Sequence, residues 1–298
     1  TLGSSASLTL SPSIVSPGET LTCTATATDD WGGSSVSIVT IVIVNTGPEI
    51  TTVTTSPSTD ITTSTTVVCA AEASDDDDDT VTISYAWTNE AGETLGSSAS
   101  LTLSPSIVSP GETLTCTATA TDASGGTGTS TITIIIVNTG PEITTISVSP
   151  STGVTTSTTV VCSADASDDD GGTPTITYVW TNEADEVLGT AASLTLKASL
   201  VSPGEVITCT AMAEDADGDT GSDTTTLTVE NTDPTITVVS IDPSSGVGSE
   251  TTLTCSAEGE DDDGGTPTIT YAWTNDSGAE LGSEASLTLT SSTADVDD

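Results

Sequence analysis

Along residues 113–121 apolar and polar side chains alternate without a break. Leu114, Cys116, Ala118 and Ala120 take one parity, and Thr113, Thr115, Thr117, Thr119 and Thr121 take the other. Successive side chains of a strand point to opposite faces, so this segment predicts a strand with one buried and one wet face. The stretch Val81-Thr-Ile-Ser-Tyr-Ala-Trp87 alternates likewise and predicts Val81, Ile83, Tyr85 and Trp87 inside. Strand-like runs near 50–56, 65–72, 80–89, 98–103, 112–121 and 130–137 are separated by Gly, Pro, Asp and Ser, and a short run near 92–95 makes seven. No 3.6-residue period is sustained, and no apolar run reaches the roughly 18 residues of a membrane span. Short strands at this spacing predict an all-β protein built of antiparallel β-sandwiches.

The same pattern returns along the chain. Residues 1–29 recur unchanged at 94–122, a period of 93 residues. That period carries Cys23 onto Cys116 and Cys209, and Cys69 onto Cys162 and Cys255. It also carries Asn45-Thr-Gly-Pro48 onto Asn138-Thr-Gly-Pro141 and Asn231-Thr-Asp-Pro234. Boundaries at these linkers predict two complete domains, 46–138 and 139–231, flanked by the C-terminal half of a domain at 1–45 and the N-terminal part of one at 232–298. With both ends inside a repeat, the chain is expected to be an excerpt of something longer.

Composition narrows the chemistry. There are 44 acids against one base, Lys197, and no His, for a formal charge of −43. Phosphate binding needs Lys or Arg, so a nucleic-acid partner is excluded. Such a charge attracts cations and keeps molecules apart, and a salt-adapted surface has the same balance. Hydrophobic residues make up 34% of the chain and aromatics 2%, so cores must be small and aliphatic with a rare Trp. Six regularly spaced cysteines with no CxxC pair and no His argue against zinc and for disulfides, hence an oxidising, extracytoplasmic setting. No His is present as a general base, Lys197 is not repeated, and Ser and Thr have no partner to activate them. Carboxylate pairs could in principle serve a glycosidase, but these acids repeat with the domain and there are few aromatics for a sugar platform. The expectation is a protein that is not an enzyme.

Val67-Val-Cys69 is followed by Tyr85-Ala-Trp87, Ser100-Leu-Thr-Leu103 and Gly111-Glu-Thr-Leu-Thr-Cys116. In that order these resemble the B-strand cysteine, C-strand tryptophan, E strand and F-strand cysteine of the immunoglobulin superfamily. Cys162, Trp180 and Cys209 repeat the series, and Cys255 and Trp273 begin it again. Leu114 and Ile207 stand where many members carry a corner tyrosine, and bacterial surface repeats of immunoglobulin-like or polycystic-kidney-disease-like type look closer than antibody domains. The resemblance implies bridges Cys69–Cys116 and Cys162–Cys209. Each would close a loop of about 48 residues, a stabilisation of roughly 4 kcal/mol in the chain-entropy model. Cys23 and Cys255 are disulfide cysteines whose partners lie either in neighbouring sequence or in the next copy of the chain, the latter giving a covalent filament.

Acids recur at two places. Asp75–Asp79, Asp168–Asp170 and Asp261–Asp263 fall between the B cysteine and the C tryptophan, while Asp29-Asp30, Asp122 and Asp215-Ala-Asp217-Gly-Asp219 follow the F cysteine. The two loops share one end of an immunoglobulin sandwich. The preceding linker enters there too, with Asn138 and Glu142 or Asn231 and Asp233. Converging oxygens suit Ca²⁺. The candidate ligands are Asp75, Asp77, Asp122, Asp168, Asp170, Asp215, Asp217, Asp219, Asn138, Glu142, Asp261 and Asp263. The count of acids places the fullest site in the second complete domain, with Asp215, Asp217 and Asp219. The alternative is solvated loops with loose counterions.

The last strand is apolar on both faces in two copies. Val42, Val44, Ile135 and Val137 point outward on an edge, where they need cover from a neighbouring domain or subunit, a linker or a glycan. Trp31, where the next copy has Ser124, is a candidate contact residue. Asn275-Asp-Ser277 is the one N-glycosylation sequon, and the Ser- and Thr-rich faces suit O-glycans. The function this points to is mechanical: an extracellular or cell-surface rod, stalk or filament of a microbe, self-associating or flanked by copies of itself. The alternatives are the stalk of an adhesin and a surface-layer or sheath component.

Overall fold

The computed structural model describes residues 1–290, and every regular element among them is a strand. The first part holds β1 (Thr20–Thr28) and β2 (Ser34–Val42). The next repeat holds β3 (Glu49–Ser56), β4 (Thr66–Ser74), β5 (Thr82–Thr88), β6 (Thr94–Gly96), β7 (Ser100–Thr102), β8 (Thr113–Thr121) and β9 (Thr127–Ile135). Its successor holds β10 (Glu142–Ser149), β11 (Thr159–Ser167), β12 (Thr175–Thr181), β13 (Val187–Gly189), β14 (Ser193–Thr195), β15 (Val206–Glu214) and β16 (Thr220–Thr228). The last part holds β17 (Thr235–Asp242), β18 (Thr252–Glu260), β19 (Trp273–Thr274), β20 (Glu280–Gly282) and β21 (Ser286–Thr288).

Each seven-strand set forms two antiparallel sheets, β3-β4-β7 facing β6-β5-β8-β9 in one and β10-β11-β14 facing β13-β12-β15-β16 in the other. This is the two-layer arrangement of immunoglobulin-like sandwiches. The alternation in the sequence explains it directly. In β8 the parity of Leu114, Cys116, Ala118 and Ala120 is wholly buried, while the threonines stay half-exposed. Trp87 lies opposite Cys116 in the register and Trp180 opposite Cys209, so each tryptophan packs where the facing sheets are tied. The bridges Cys69–Cys116 and Cys162–Cys209 form, each with Cα atoms 6.5 Å apart. Tyr85 and Tyr178 reach across the sandwich, and their hydroxyls accept from Ala71 N and Ala164 N at 3.2 Å. These aromatics are core residues.

The last strand of the first complete set starts earlier than its apolar run, at Thr127 and not near 130. The polar stretch Thr127–Ser130 pairs with Ala118–Thr121 and so continues the ladder. Gly128 lets the linker lie against this stretch: a Cβ there would overlap the Pro48 carbonyl oxygen, and Gly221 stands in the same relation to Pro141. Val81 falls just outside β5 and is half-buried. At the end of the edge strand β9 and just beyond it, Ile134 and Ile136 are buried while Ile135 is 62% and Val137 40% exposed. Val42 and Val44 of the first part are exposed as well, and Trp31 is 95% exposed.

The chain gathers into two compact units, residues 1–140 with 168–172, and residues 141–167 with the described chain from 173 onward. In the first unit β1 and β2 form a two-stranded sheet with Cys23 exposed and unbridged. In the second, β17-β18-β21 and β19-β20 form the last sheets, and Cys255 is half-buried and unbridged.

Candidate functional site

The acids sit on turns whose shape their own side chains set. Asp122 ends β8, and its Oδ1 accepts from Ser124 N and Gly126 N, both at 2.8 Å. Asp29 does the same for Trp31 N and Gly33 N, and Asp215 for Asp217 N and Asp219 N. An aspartate that bonds its backbone two and four residues on folds a tight turn without help. In the other loop Asp75 Oδ1 accepts from Asp77 N, Asp168 Oδ1 from Asp170 N, and Asp261 Oδ1 from Asp263 N.

The third member of each such loop turns toward the linker. Asp77 Oδ2 accepts from Thr46 N at 2.7 Å and Thr46 Oγ1 at 2.6 Å. Asp170 Oδ2 accepts from both Thr139 N and Thr139 Oγ1, and Asp263 Oδ2 from both Thr232 N and Thr232 Oγ1. Their other oxygens accept from a second threonine: Thr63 Oγ1 donates to Asp170 Oδ1 at 2.7 Å, and Thr156 Oγ1 to Asp263 Oδ1 at 2.9 Å. Thr63 and Thr156 are buried, so these are shielded, charge-assisted bonds. Each loop is clasped by hydroxyl and amide donors with no basic residue.

The carboxyl groups register this. Thr46 holds Asp77 below the usual carboxylate range. At Asp170 burial works upward, but the Thr139 amide and the Thr63 and Thr139 hydroxyls outweigh it and the pKa is lowered. The Thr232 amide does most to lower Asp263. Asp122 is lowered chiefly by Asn45, whose Nδ2 donates to Asp122 Oδ2 at 2.8 Å.

Asp79 behaves in the opposite way. Burial, and then the charges of Asp75, Asp122 and Asp77, raise its pKa. Around it three buried oxygens, Asn45 Oδ1, Asp75 Oδ2 and Asp79 Oδ2, accept no hydrogen bond. A buried polar atom left without a partner costs stability. The period places Gly172 and Gly265 where this loop has Asp79.

Counting acids favours the second complete domain, where Asp217, Asp219 and Glu142 are exposed and Asp215 Oδ1 is engaged by its own turn. Asp75, Asp77 and Asp122 are drawn together in the first unit with two residues that the sequence reading did not single out, Asn45 and Asp79. Asn138, Asp168 and Asp261 are half-buried, while Asp170 and Asp263 serve as hydrogen-bond acceptors to threonines. Among the described residues no three His, Cys, Asp or Glu side chains form a metal-holding group by themselves, so a cation beside Asp79 would need the Asn45 amide oxygen as well. The clasping threonines were also missed. Their signal is the recurrence of Thr46, Thr139 and Thr232 at the 93-residue period.

No protein-family model and no curated protein matches the chain. Among solved structures it is similar to a tetra-tandem repeat in the extending region of a large adhesion protein, at 16% identity and a TM-score of 0.29, over 95% of this chain and 76% of that one. It is also similar to Sidekick-1 immunoglobulin domains 1–5, at 15% identity and 0.32, over 92% and 60%. Protocadherin Gamma B2 cadherin domains 3–6 match at 12% and 0.28, over 94% and 76%. Strand order, sheet pairing and the two bridges make the chain a tandem array of immunoglobulin-like β-sandwiches.

Proposed function

We propose that the chain is a load-bearing segment of an extracellular protein, a rod, stalk or filament that uses repeated sandwiches as spacers and has no catalytic role. The observation that supports this is the recurrence, at one period, of a sulfur brace inside the repeat and a threonine–aspartate clasp on its linker. Repetition of a brace and a clasp serves length and stiffness, not a unique reaction. Calcium, held by Asn45, Asp75 and Asp79, stiffens the first clasp. The outward Ile135 and Val137 are where copies associate.

Stretching single molecules tests the mechanical reading. With the bridges intact, each repeat should release roughly half its length on unfolding, and reductant should about double that release. Events that ignore reductant would end the proposal. The calcium reading has its own test. Calcium at a hundredfold excess over its dissociation constant should add about 2.7 kcal/mol to the first complete repeat. Asp79→Asn should abolish that gain. The same substitution should raise the melting temperature in chelator. The carboxylate pKa is raised in the fold, so ionised Asp79 works against folding above that pKa. An unchanged melting temperature on adding calcium would remove the metal from the account.

A further inference from the structure

The turn that joins β5 to β6, β12 to β13 and β19 to β20 is built three times around an asparagine, at Asn89, Asn182 and Asn275. Each Asn Oδ1 accepts from the backbone four residues on: Glu93 N at 2.9 Å, Glu186 N at 2.9 Å and Ala279 N at 2.8 Å. The amide nitrogens differ. Asn89 Nδ2 donates to Glu93 Oε2 and Asn182 Nδ2 to Glu186 Oε2, both at 3.0 Å. In the third turn Ala279 replaces that glutamate, and Asn275 Nδ2 donates no hydrogen bond to any described residue. The same turn carries a second change. Ser277 stands where the others have Ala91 and Ala184, completing Asn-Asp-Ser, and its hydroxyl donates to Asn275 Oδ1 at 2.8 Å. Residues 276–279 are exposed.

We infer that Asn275 is an N-glycosylation site, open to modification in the folded chain because Ala279 releases the amide nitrogen that Glu93 and Glu186 hold in the sister turns. A serine two residues after an asparagine is the acceptor pattern for this reaction. The co-reactant is a saccharide carried on a lipid diphosphate, delivered by an oligosaccharyltransferase. Asn275 Nδ2 forms a bond to the anomeric carbon, the bond from that carbon to the diphosphate oxygen breaks, and the lipid diphosphate leaves with the electron pair. One amide proton passes to a base of the transferase. The glutamate in the other turns would oppose this twice, by occupying Nδ2 and by setting a carboxylate beside it.

The test incubates the folded, full chain with a purified oligosaccharyltransferase and its lipid-diphosphate saccharide, then reads intact mass and peptide maps. The expected product is one saccharide, on Asn275, and none with Ser277→Ala. Ala279→Glu should slow the transfer at least about fivefold. Ala91→Ser should make Asn89 a poor acceptor that Glu93→Ala improves by a similar factor. Two results would overturn the inference: equal rates for wild type and Ala279→Glu, or transfer to the unfolded chain with none to the folded one.

Discussion

Residues 1–29 and 94–122 are the same sequence in two settings. Both contain the strand Thr-Leu-Thr-Cys-Thr-Ala-Thr-Ala-Thr, as β1 and as β8, and both pair it antiparallel with the strand that follows. In β8 Leu114, Cys116, Ala118 and Ala120 are fully buried, whereas in β1 Leu21 is half-exposed and Cys23, Ala25 and Ala27 are exposed. Alternation of threonine with small apolar residues is enough to make a strand and its hairpin. Burial, and with it most of the stability, comes from the second sheet that β8 faces. A two-stranded sheet alone is marginal in water.

Identical sequences allow identical changes, which makes the comparison easy to break. The largest expected difference is in amide hydrogen exchange. Amides of 113–121 should exchange about a thousandfold or more slowly than those of 20–28, because only loss of a sandwich worth at least about 5 kcal/mol exposes them. Equal rates would mean that the facing sheet contributes nothing. Next comes sulfur. Cys116→Ser should lower stability by about 4 kcal/mol, the value for a loop of this size, as read by denaturant unfolding. Cys23→Ser should change it by less than about 0.5 kcal/mol. Leucine follows: Leu114→Ala should cost about 2–5 kcal/mol and Leu21→Ala under about 1 kcal/mol in the same measurement.

The smallest effect is electrostatic. Asn45 holds the Asp122 carboxyl below its ordinary range, so its contribution is complete above about pH 4, the unfolded value, and fades as pH falls through the lower folded one. Asp122→Asn should therefore melt below wild type above pH 4, with the gap closing toward pH 2. A gap that does not vary with pH would place the effect in packing instead.

Much of this was legible in advance, for one physical reason. A strand's two-residue period is written into its own residues, so the parity of Leu114 and Cys116 already named the core face. The start of β9 was hidden because Thr127–Ser130 carries no apolar signal, and its pairing comes from the neighbouring strand. The clasp was hidden by abundance: among so many threonines, nothing but spacing distinguishes Thr46 or Thr63. In the run Asp215, Asp217 and Asp219, spacing alone does not show that Asp215 Oδ1 bonds the turn's own amides at Asp217 and Asp219. A single departure from the repeat, Asp79 against Gly172 and Gly265, leaves a buried unpartnered oxygen that the number of acids does not foretell.

The clasp of Asp170 and Asp263 uses only hydroxyl and amide donors. Brine weakens attraction between opposite charges, but here there is no cationic partner for dissolved ions to compete with. Added salt should quiet the mutual repulsion of 44 acids while leaving the fastening intact, so a material made of this chain would tighten in seawater where one held by ion pairs would loosen.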